Sequence, residues 1–306
     1  MISPYLRKAK TLKNDSNSVY SVILVLDPIK DMTIPFINGT KSHASFLNLV
    51  GQFDSSLSAR LHDEPGYRPY TVSPLFGGKI LGERMTLMRG QLCYLRVTLL
   101  DGGTIWNALQ TYFQEAGTIY IHIGDADFRL MRILINPGIG PMYLAGYANW
   151  QTLANIPVQS SITMNFSTAT TFSLGGRQFC IFPEPTLVWG SLLRDWNRYA
   201  PEHLHIERYE MRATLEKHVS VMACRLHHAY LHFPGYVQKG FLGWCSYQID
   251  ADELLAQQLT SLAAFAKYAG VGYKTTMGLG QACLEFGVRT SRGPLLHTIL
   301  PTSQES

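Results

Sequence analysis

Hydrophobic residues along this chain recur at two alternating periods, and the alternation runs through two similar stretches. Residues 19–26 are rich in β-branched and aliphatic side chains and close on Asp27-Pro28, as a buried first strand would. The spacing then lengthens to that of a helix over 42–52 and again over 54–62, with Asp54 or Ser55 placed to cap the second. Pro65-Gly66 breaks that helix. Strand-like runs follow at 70–72, 85–88 and 92–100, an amphipathic helix at 104–116, strands at 118–123 and 128–135, and a Pro/Gly turn over 137–141.

From about residue 151 the plan repeats in outline. A strand is expected at 162–172, then a helix at 185–199 with Pro185 in its first turn, where a missing N–H does no harm. Strands are predicted at 207–214, 219–233 and 242–249, a helix at 250–269 and a last strand at 281–286. Leu254, Leu255, Leu259, Leu262, Phe265, Ala266 and Ala269 share one face of that helix, and Gly270 suits its C-cap. The tail from Arg289 is polar and reads as loose. The pattern predicts an α+β chain of two units, 1–150 and 151–306, each an antiparallel sheet with helices on one face. No sequence repeat links the halves, so the duplication rests on pattern alone.

Composition supports two real cores: 46% of the 306 residues are hydrophobic and only 16% charged. The net charge of +4 and a pI near 8.7 are compatible with a polyanionic partner, and equally with many metabolic enzymes. Cys93, Cys180, Cys224, Cys245 and Cys283 are odd in number and lack metal-ligand spacing, which argues for a reducing compartment and against a zinc ribbon or disulfide framework. The polar, basic start carries no apolar signal region, and the apolar stretch at 22–26 is too short for a membrane, so a soluble cytoplasmic protein is expected.

The segment richest in chemistry is 270–280, where Gly270, Gly272, Gly278 and Gly280 surround Lys274, Thr275 and Thr276. Glycines let backbone N–H groups approach a phosphate, and Lys274 adds charge. A nucleotide-binding P-loop fails on spacing, because Tyr273 separates Gly272 from Lys274, and on order, because this loop runs from helix to strand. On the residues alone, a phosphate cradle and a packing turn both stand.

The whole segment Ala266-Lys-Tyr-Ala-Gly-Val-Gly-Tyr-Lys-Thr-Thr-Met-Gly-Leu-Gly-Gln281 resembles the C-terminal glycine-rich loop of CRISPR-associated precursor-processing endoribonucleases of the RAMP superfamily. Other pieces agree in the same order: Leu61-His62-Asp63 with Arg68-Pro-Tyr-Thr-Val-Ser-Pro-Leu75; Leu95-Arg-Val-Thr-Leu-Leu-Asp101; Phe182-Pro-Glu-Pro with Gly190-Ser-Leu-Leu-Arg-Asp-Trp-Asn197; and Gly240-Phe-Leu-Gly243. They span roughly 20–287. The resemblance implies two tandem ferredoxin-like (RRM-like) domains, CRISPR repeat RNA as partner, and metal-independent, cofactor-free cleavage. Other effector subunits and a second copy of the chain are further partners it leaves open. Tyr273 departs from the pattern, standing where relatives often carry a basic residue, so one phosphate contact is weakened or replaced by stacking.

RNA carries its own nucleophile, the 2′-hydroxyl beside the scissile phosphate, and its cleavage needs a base, an acid and positive charge. The resemblance places the catalytic histidine at His62, at the end of the second helix, and a basic partner at Arg68, whose fork suits a phosphate. Without it, His62 reads as a helix-end residue meeting the last carbonyls. Many relatives carry a tyrosine hydroxyl on the first helix where this chain has Phe46-Leu47; His43, one turn away, is the candidate substitute or an ordinary helix histidine. Lys41, Arg129, Arg132 and Lys239 are candidate phosphate contacts beside Lys274, Gly272, Thr275, Thr276 and Gly278. His227, His228 and His232 do not read as metal ligands, since strand neighbours point apart, and Trp189 and Trp196 read as core. Two competitors remain: a non-catalytic subunit that holds guide RNA, and a nucleotide-binding enzyme, which the loop's spacing disfavours.

Overall fold

The computed structural model describes residues 17–64, 66, 68–137, 143–207, 210–233 and 235–285. All of the expected 137–141 turn but Pro137, together with Phe286 and the tail from Arg289, lies outside the described residues.

The first unit runs β1 (Ser18–Pro28), β2 (Met32–Pro35), α1 (Gly39–Gly51), α2 (Ser55–Asp63), β3 (Tyr70–Val72), β4 (Lys79–Leu81), β5 (Arg84–Leu87), β6 (Cys93–Leu99), α3 (Thr104–Glu115), β7 (Tyr120–Ile123), β8 (Ala126–Leu134) and β9 (Gly146–Asn149). Its main sheet is ordered β3-β6-β1-β8-β7, and β9 pairs with the first residues of β1. Strand β1 is buried along its length because both faces are covered. Tyr20, Val22, Leu24 and Leu26 join the core under the helices, whereas Ile23 and Val25 lie beneath Leu144 and Ala145 on the other side. That double cover explains why its sequence shows no polar alternation.

The second unit runs α4 (Trp150–Ala154), β10 (Ser161–Thr170), β11 (Phe172–Gly175), β12 (Gln178–Cys180), α5 (Pro185–Tyr199), α6 (Met211–His218), β13 (Val219–Phe233), β14 (Tyr236–Ile249), α7 (Glu253–Ala269) and β15 (Ala282–Glu285). Its sheet is ordered β13-β14-β10-β15. Taken as first to fourth core strands, β1, β3, β6 and β8 stand in the order second-third-first-fourth, and so do β10, β13, β14 and β15. Each unit places helices after its first and third core strands. The fold is therefore two tandem ferredoxin-like units, and the duplication seen only as a pattern is real in topology. Trp189 and Trp196 are fully buried, with Trp150 and Phe265 packed edge-on against Trp196 at 5.2 and 5.4 Å.

Three expectations need correction. Residues 207–214 are not a strand: residues 208 and 209 lie outside the description, and 211–218 form α6, with Met211 and Leu215 buried one turn apart and Arg212 paired with Glu216 at 2.9 Å. Leu254 does not join the buried face of α7; it sits 69% exposed in the first turn, after the Asp252 cap. Strand 162–172 is also split, since β10 ends at Thr170 and Phe172 opens β11.

Candidate active site

Helix α1 carries His43 half-buried on the side that meets β3. There His43 Nε2 lies 2.9 Å from the hydroxyl of Tyr70, with the rings stacked at 6.0 Å. Phe46, one turn-step along the helix, packs on the same tyrosine at 4.9 Å. Burial, followed by the nearby charges of Arg68 and His62, lowers the His43 imidazole to about 4. Burial raises the Tyr70 phenol to about 12. Both groups are therefore neutral over the physiological range and share one hydrogen bond. Strand β3 thus places a tyrosine hydroxyl against the first helix, which itself carries Phe46-Leu47. Sequence reading missed it, although Tyr70 stands two residues after Arg68 in a segment already singled out.

Helix α2 starts at the Asp54 cap, whose carboxylate accepts from the Leu57 N–H at 2.8 Å, and it buries Leu57 and Leu61. His62 follows on the exposed side, its Nδ1 2.5 Å from Asp63 Oδ1. The Arg68 guanidinium is turned to the end of this helix, donating from Nη1 to the carbonyls of Leu61 at 2.6 Å and Glu64 at 3.3 Å, and from Nη2 to that of His62 at 2.9 Å. A cation placed on the last carbonyls complements the helix dipole. The second unit steadies this corner: Tyr199 Oη accepts from the Arg68 N–H at 3.3 Å, and Arg198 Nη1 donates to the Gly66 carbonyl at 2.9 Å. The structure thus brings His43, His62 and Arg68 together, beside a shallow groove lined by Asn48, Gln52, Ser55, Ser58 and His62 between α1 and α2.

The glycine loop reaches the same helix from the other unit. Gly39, which opens α1, lies so close that a Cβ there would stand 2.1 Å from the Met277 carbonyl oxygen; Gly278, at φ 89°, would put its own Cβ 3.0 Å from Gly39. The backbone of the loop is tied down by Val271 N–H to Gly280 O at 2.8 Å, Gly272 N–H to Ser191 Oγ at 3.3 Å, Tyr273 N–H to Thr171 O at 2.8 Å and Gly280 N–H to Ala169 O at 3.0 Å. Thr275 and Thr276 open a single 3-10 turn, Thr275–Met277. Lys274 does not point back over this turn; its ammonium contacts the Tyr236 hydroxyl at the tip of the β13–β14 hairpin.

The remaining basic candidates are scattered. Lys41 is exposed, its stem along Gly124; Arg129 is paired with Asp27 at 3.0 Å; Arg132 is exposed on β8; and Lys239 lies over the Tyr230 ring at 5.9 Å. His227 and His228 are exposed on β13, and the side chain of His232 lies outside the described residues. Among the described residues no group of three His, Cys, Asp or Glu side chains is placed to hold a metal ion, and no helix is long and apolar enough to cross a membrane. All five cysteines are free thiols.

A buried polar seam joins the loop to the first unit, and no sequence signal marked it. Arg96, on β6 and 2% exposed, donates from Nε to Ser21 Oγ at 2.8 Å, from Nη1 to the Gln281 side-chain oxygen and from Nη2 to the Lys267 carbonyl. Gln281 in turn donates to Thr71 Oγ1 at 3.3 Å, next to Tyr70. Burial lowers the Arg96 guanidinium to about 10, and burial together with Arg96 lowers the Lys267 ammonium to about 8. One buried guanidinium therefore grips both ends of the glycine loop.

The structure defines a class of tandem ferredoxin-like protein in which a glycine-rich loop of the second unit is laid on the first helix of the other. The model of the CRISPR Cas6 N-terminal domain matches residues 18–154, and that of the CRISPR-associated endoribonuclease Cas6 matches 164–282. The chain belongs to the Cas6 family. A relative from Streptococcus thermophilus, named CRISPR-associated endoribonuclease Cas6, is 27% identical over 127 residues, which cover 42% of this chain and 51% of the relative. The chain thus spans about half the length of that curated relative. Among solved structures, a Cas6 product complex is 28% identical with a TM-score of 0.70, over 87% of this chain and 100% of that one. A Thermus thermophilus Cas6 is 26% identical with a TM-score of 0.67, over 87% and 98%.

Proposed function

We propose that this chain cuts CRISPR repeat RNA in precursor transcripts to release guide RNAs, by attack of the RNA's own 2′-hydroxyl. The observation that carries this reading is the gathering of His62, His43 and Arg68 beside the groove between α1 and α2, in a chain of an endoribonuclease family. In the step itself the 2′-oxygen bonds to phosphorus, and the bond from phosphorus to the 5′-oxygen breaks. A base takes the 2′ proton and an acid supplies one to the leaving oxygen. The products are a 2′,3′-cyclic phosphate (opening to a 3′-phosphate) and a 5′-hydroxyl. None of these steps calls for a metal ion.

His62 is the proton-transfer group. Its Nδ1 is engaged by Asp63, which orients the ring and leaves Nε2 toward solvent and substrate. His43 is held neutral, so it acts as a hydrogen-bonding group that orients the reacting phosphate, with Tyr70 fixing its ring. Arg68 contributes charge from its place at the end of α2. The Thr275 and Thr276 amides at the start of the 3-10 turn hold one backbone phosphate and Lys274, turned to the hairpin, holds a neighbouring one, while Gly272 and Gly278 keep the loop packed low enough for RNA to approach.

The test is cleavage of an end-labelled cognate repeat RNA in EDTA by wild type and His62→Ala. A discrete cut that survives EDTA and vanishes in the variant supports the reading. A cut that persists moves the chemistry to His43. Tight binding with no cut by wild type supports the second reading, a subunit that only holds guide RNA; the turning of the Arg68 fork onto helix carbonyls favours it.

A further inference from the structure

Three aromatic side chains at the edge of the second unit surround one lysine, and a fourth packs against one of them. Tyr236 and Phe233 close the β13–β14 hairpin, stacked at 5.1 Å with their planes 10° apart. Tyr273, from the glycine loop, meets Phe179 of β12 at 5.6 Å. The Lys274 ammonium lies 4.9 Å from the Phe233 ring centre, 4.6 Å from that of Tyr236 and 5.3 Å from that of Tyr273. It takes part in no ion pair among the described residues. The lysine backbone is in the left-handed region at φ 57°, which is disfavoured for any residue with a Cβ and aims its side chain at the hairpin. The rings are not core: Tyr236 is 44%, Phe179 38% and Tyr273 37% exposed.

A cluster of exposed rings on a soluble domain marks a surface that something covers. Here a cation stands among the π-faces, so the fitting occupant carries a flat ring and a negative charge on adjacent atoms. A nucleotide has both. We propose that Tyr273, Phe179, Tyr236 and Phe233 form a stacking platform for an unpaired base of the RNA, with Lys274 on the adjoining phosphate. The inference rests on the RNA-binding part of the proposed function and not on its catalytic part. Its position supports it. The loop touches α1 at Gly278, and Lys274, four residues earlier, contacts the hairpin tip, so a strand whose phosphate sits at the loop lies beside the platform. Stacking on aromatic faces tolerates any base, so the platform selects single-stranded over paired RNA and not one sequence over another.

The experiment uses the full chain and a repeat RNA carrying a 2′-deoxy sugar at the scissile nucleotide, so that binding is read without cleavage. Tyr273→Leu and Tyr236→Leu each keep apolar bulk and lose the ring. Each is expected to weaken binding about tenfold, within the range for loss of one stacked base. Tyr273→Phe should bind as wild type does. A scan of abasic substitutions should find one nucleotide whose loss weakens wild type similarly and weakens Tyr273→Leu no further. Lys274→Gln should flatten the dependence of log Kd on log salt by about one phosphate's worth.

Binding within twofold of wild type for both leucine variants overturns the platform and assigns the rings to a protein partner. So does an equal loss for every abasic RNA. A leucine variant that melts well below wild type is replaced by Phe179→Leu, which removes another ring of the same cluster, carried through the same abasic scan. If wild type binds but never cuts, the catalytic reading falls and the platform stands. If wild type does not bind repeat RNA, both fall.

Discussion

The two ferredoxin-like units share a strand order and differ in what covers the helix-free face of the sheet. In the first unit that face is closed: Ile23 and Val25 lie under Leu144 and Ala145, and Arg96 is pinned to the end of α7. In the second it is lined by short polar pairs, Thr163 Oγ1 with Ser246 Oγ at 2.7 Å and Asn165 Nδ2 donating to Glu285 at 3.0 Å. The units also divide the chemistry. The first puts His43 and His62 on its helices, and the second sends the loop after its last helix across to the start of α1. One scaffold used twice thus gives a candidate site that neither copy holds alone, and each prediction tests one side of that division or the seam between them.

The largest effect is expected where the first unit acts alone. His62→Ala should lower single-turnover cleavage roughly 10³-fold, the usual share of a positioned acid–base group, while Kd for an uncleavable repeat stays within about twofold. Tyr70→Phe should cost less, about tenfold in rate, because it removes one hydrogen bond to His43 and leaves the ring in place. If the two variants lose rate equally, His43 and not His62 is the proton-transfer group.

Next comes the seam. Arg96→Met fills most of the volume but strands Ser21 Oγ, the Gln281 oxygen and the Lys267 carbonyl in a buried place. Leaving such groups unpaired costs about 1–3 kcal/mol each, whereas a buried cation without a carboxylate is itself unfavourable. The net loss is expected to be about 3 kcal/mol, read as a lower urea midpoint. The units should also begin to unfold separately. An unchanged midpoint would mean that the guanidinium's desolvation cancels its hydrogen bonds.

How much of this was legible follows the same division. Elements whose apolar residues face one core read directly: 185–199 and 70–72 appear at the residues the periodicity gives. The Asp54 cap, the C-cap at Gly270 and the buried Trp189 and Trp196 read as well, because each depends on neighbours in sequence. Strand-favouring Thr214 helped hide α6, whose helical pair of Met211 and Leu215 offers only two points of a period. Short edge pieces such as β2 and β4 bury too little to leave a pattern. Of the site, His43, His62 and Arg68 were named and do come together, but Arg68 faces helix carbonyls and Lys274 faces the hairpin. Both outcomes depend on partners distant in sequence, as does Tyr70, which is silent until β3 is laid beside α1.

A smaller effect tests the approach of loop to helix. Gly→Ala in an exposed helix is stabilising by about 1 kcal/mol. At Gly39 the sign should invert, since the new Cβ would stand 2.1 Å from the Met277 carbonyl and force the loop off α1. Gly39→Ala is expected to weaken repeat RNA binding about fivefold, with rate at saturation falling further. A gain in stability with unchanged binding would show that the contact is slack.

The smallest effect is a slope. His43 is held at about 4 in the folded chain against an ordinary value of 6.5, so the unfolded chain takes up a proton below about pH 6.5 that the folded chain refuses. Stability from this group is full above pH 6.5 and is lost as pH falls toward 4. Asp101 works the other way: burial raises its carboxyl to about 6, so its penalty is relieved as pH falls from 6 toward its ordinary value of 3.8. The two nearly overlap, and the wild-type profile alone would hide both. Subtracting the profile of His43→Gln from that of wild type removes the Asp101 contribution, and the difference should tilt against wild type between pH 6.5 and 4. A flat difference would mean that His43 takes up its proton in the folded chain as well. It would then be available as an imidazolium acid, and the division of roles between the two histidines would have to be redrawn.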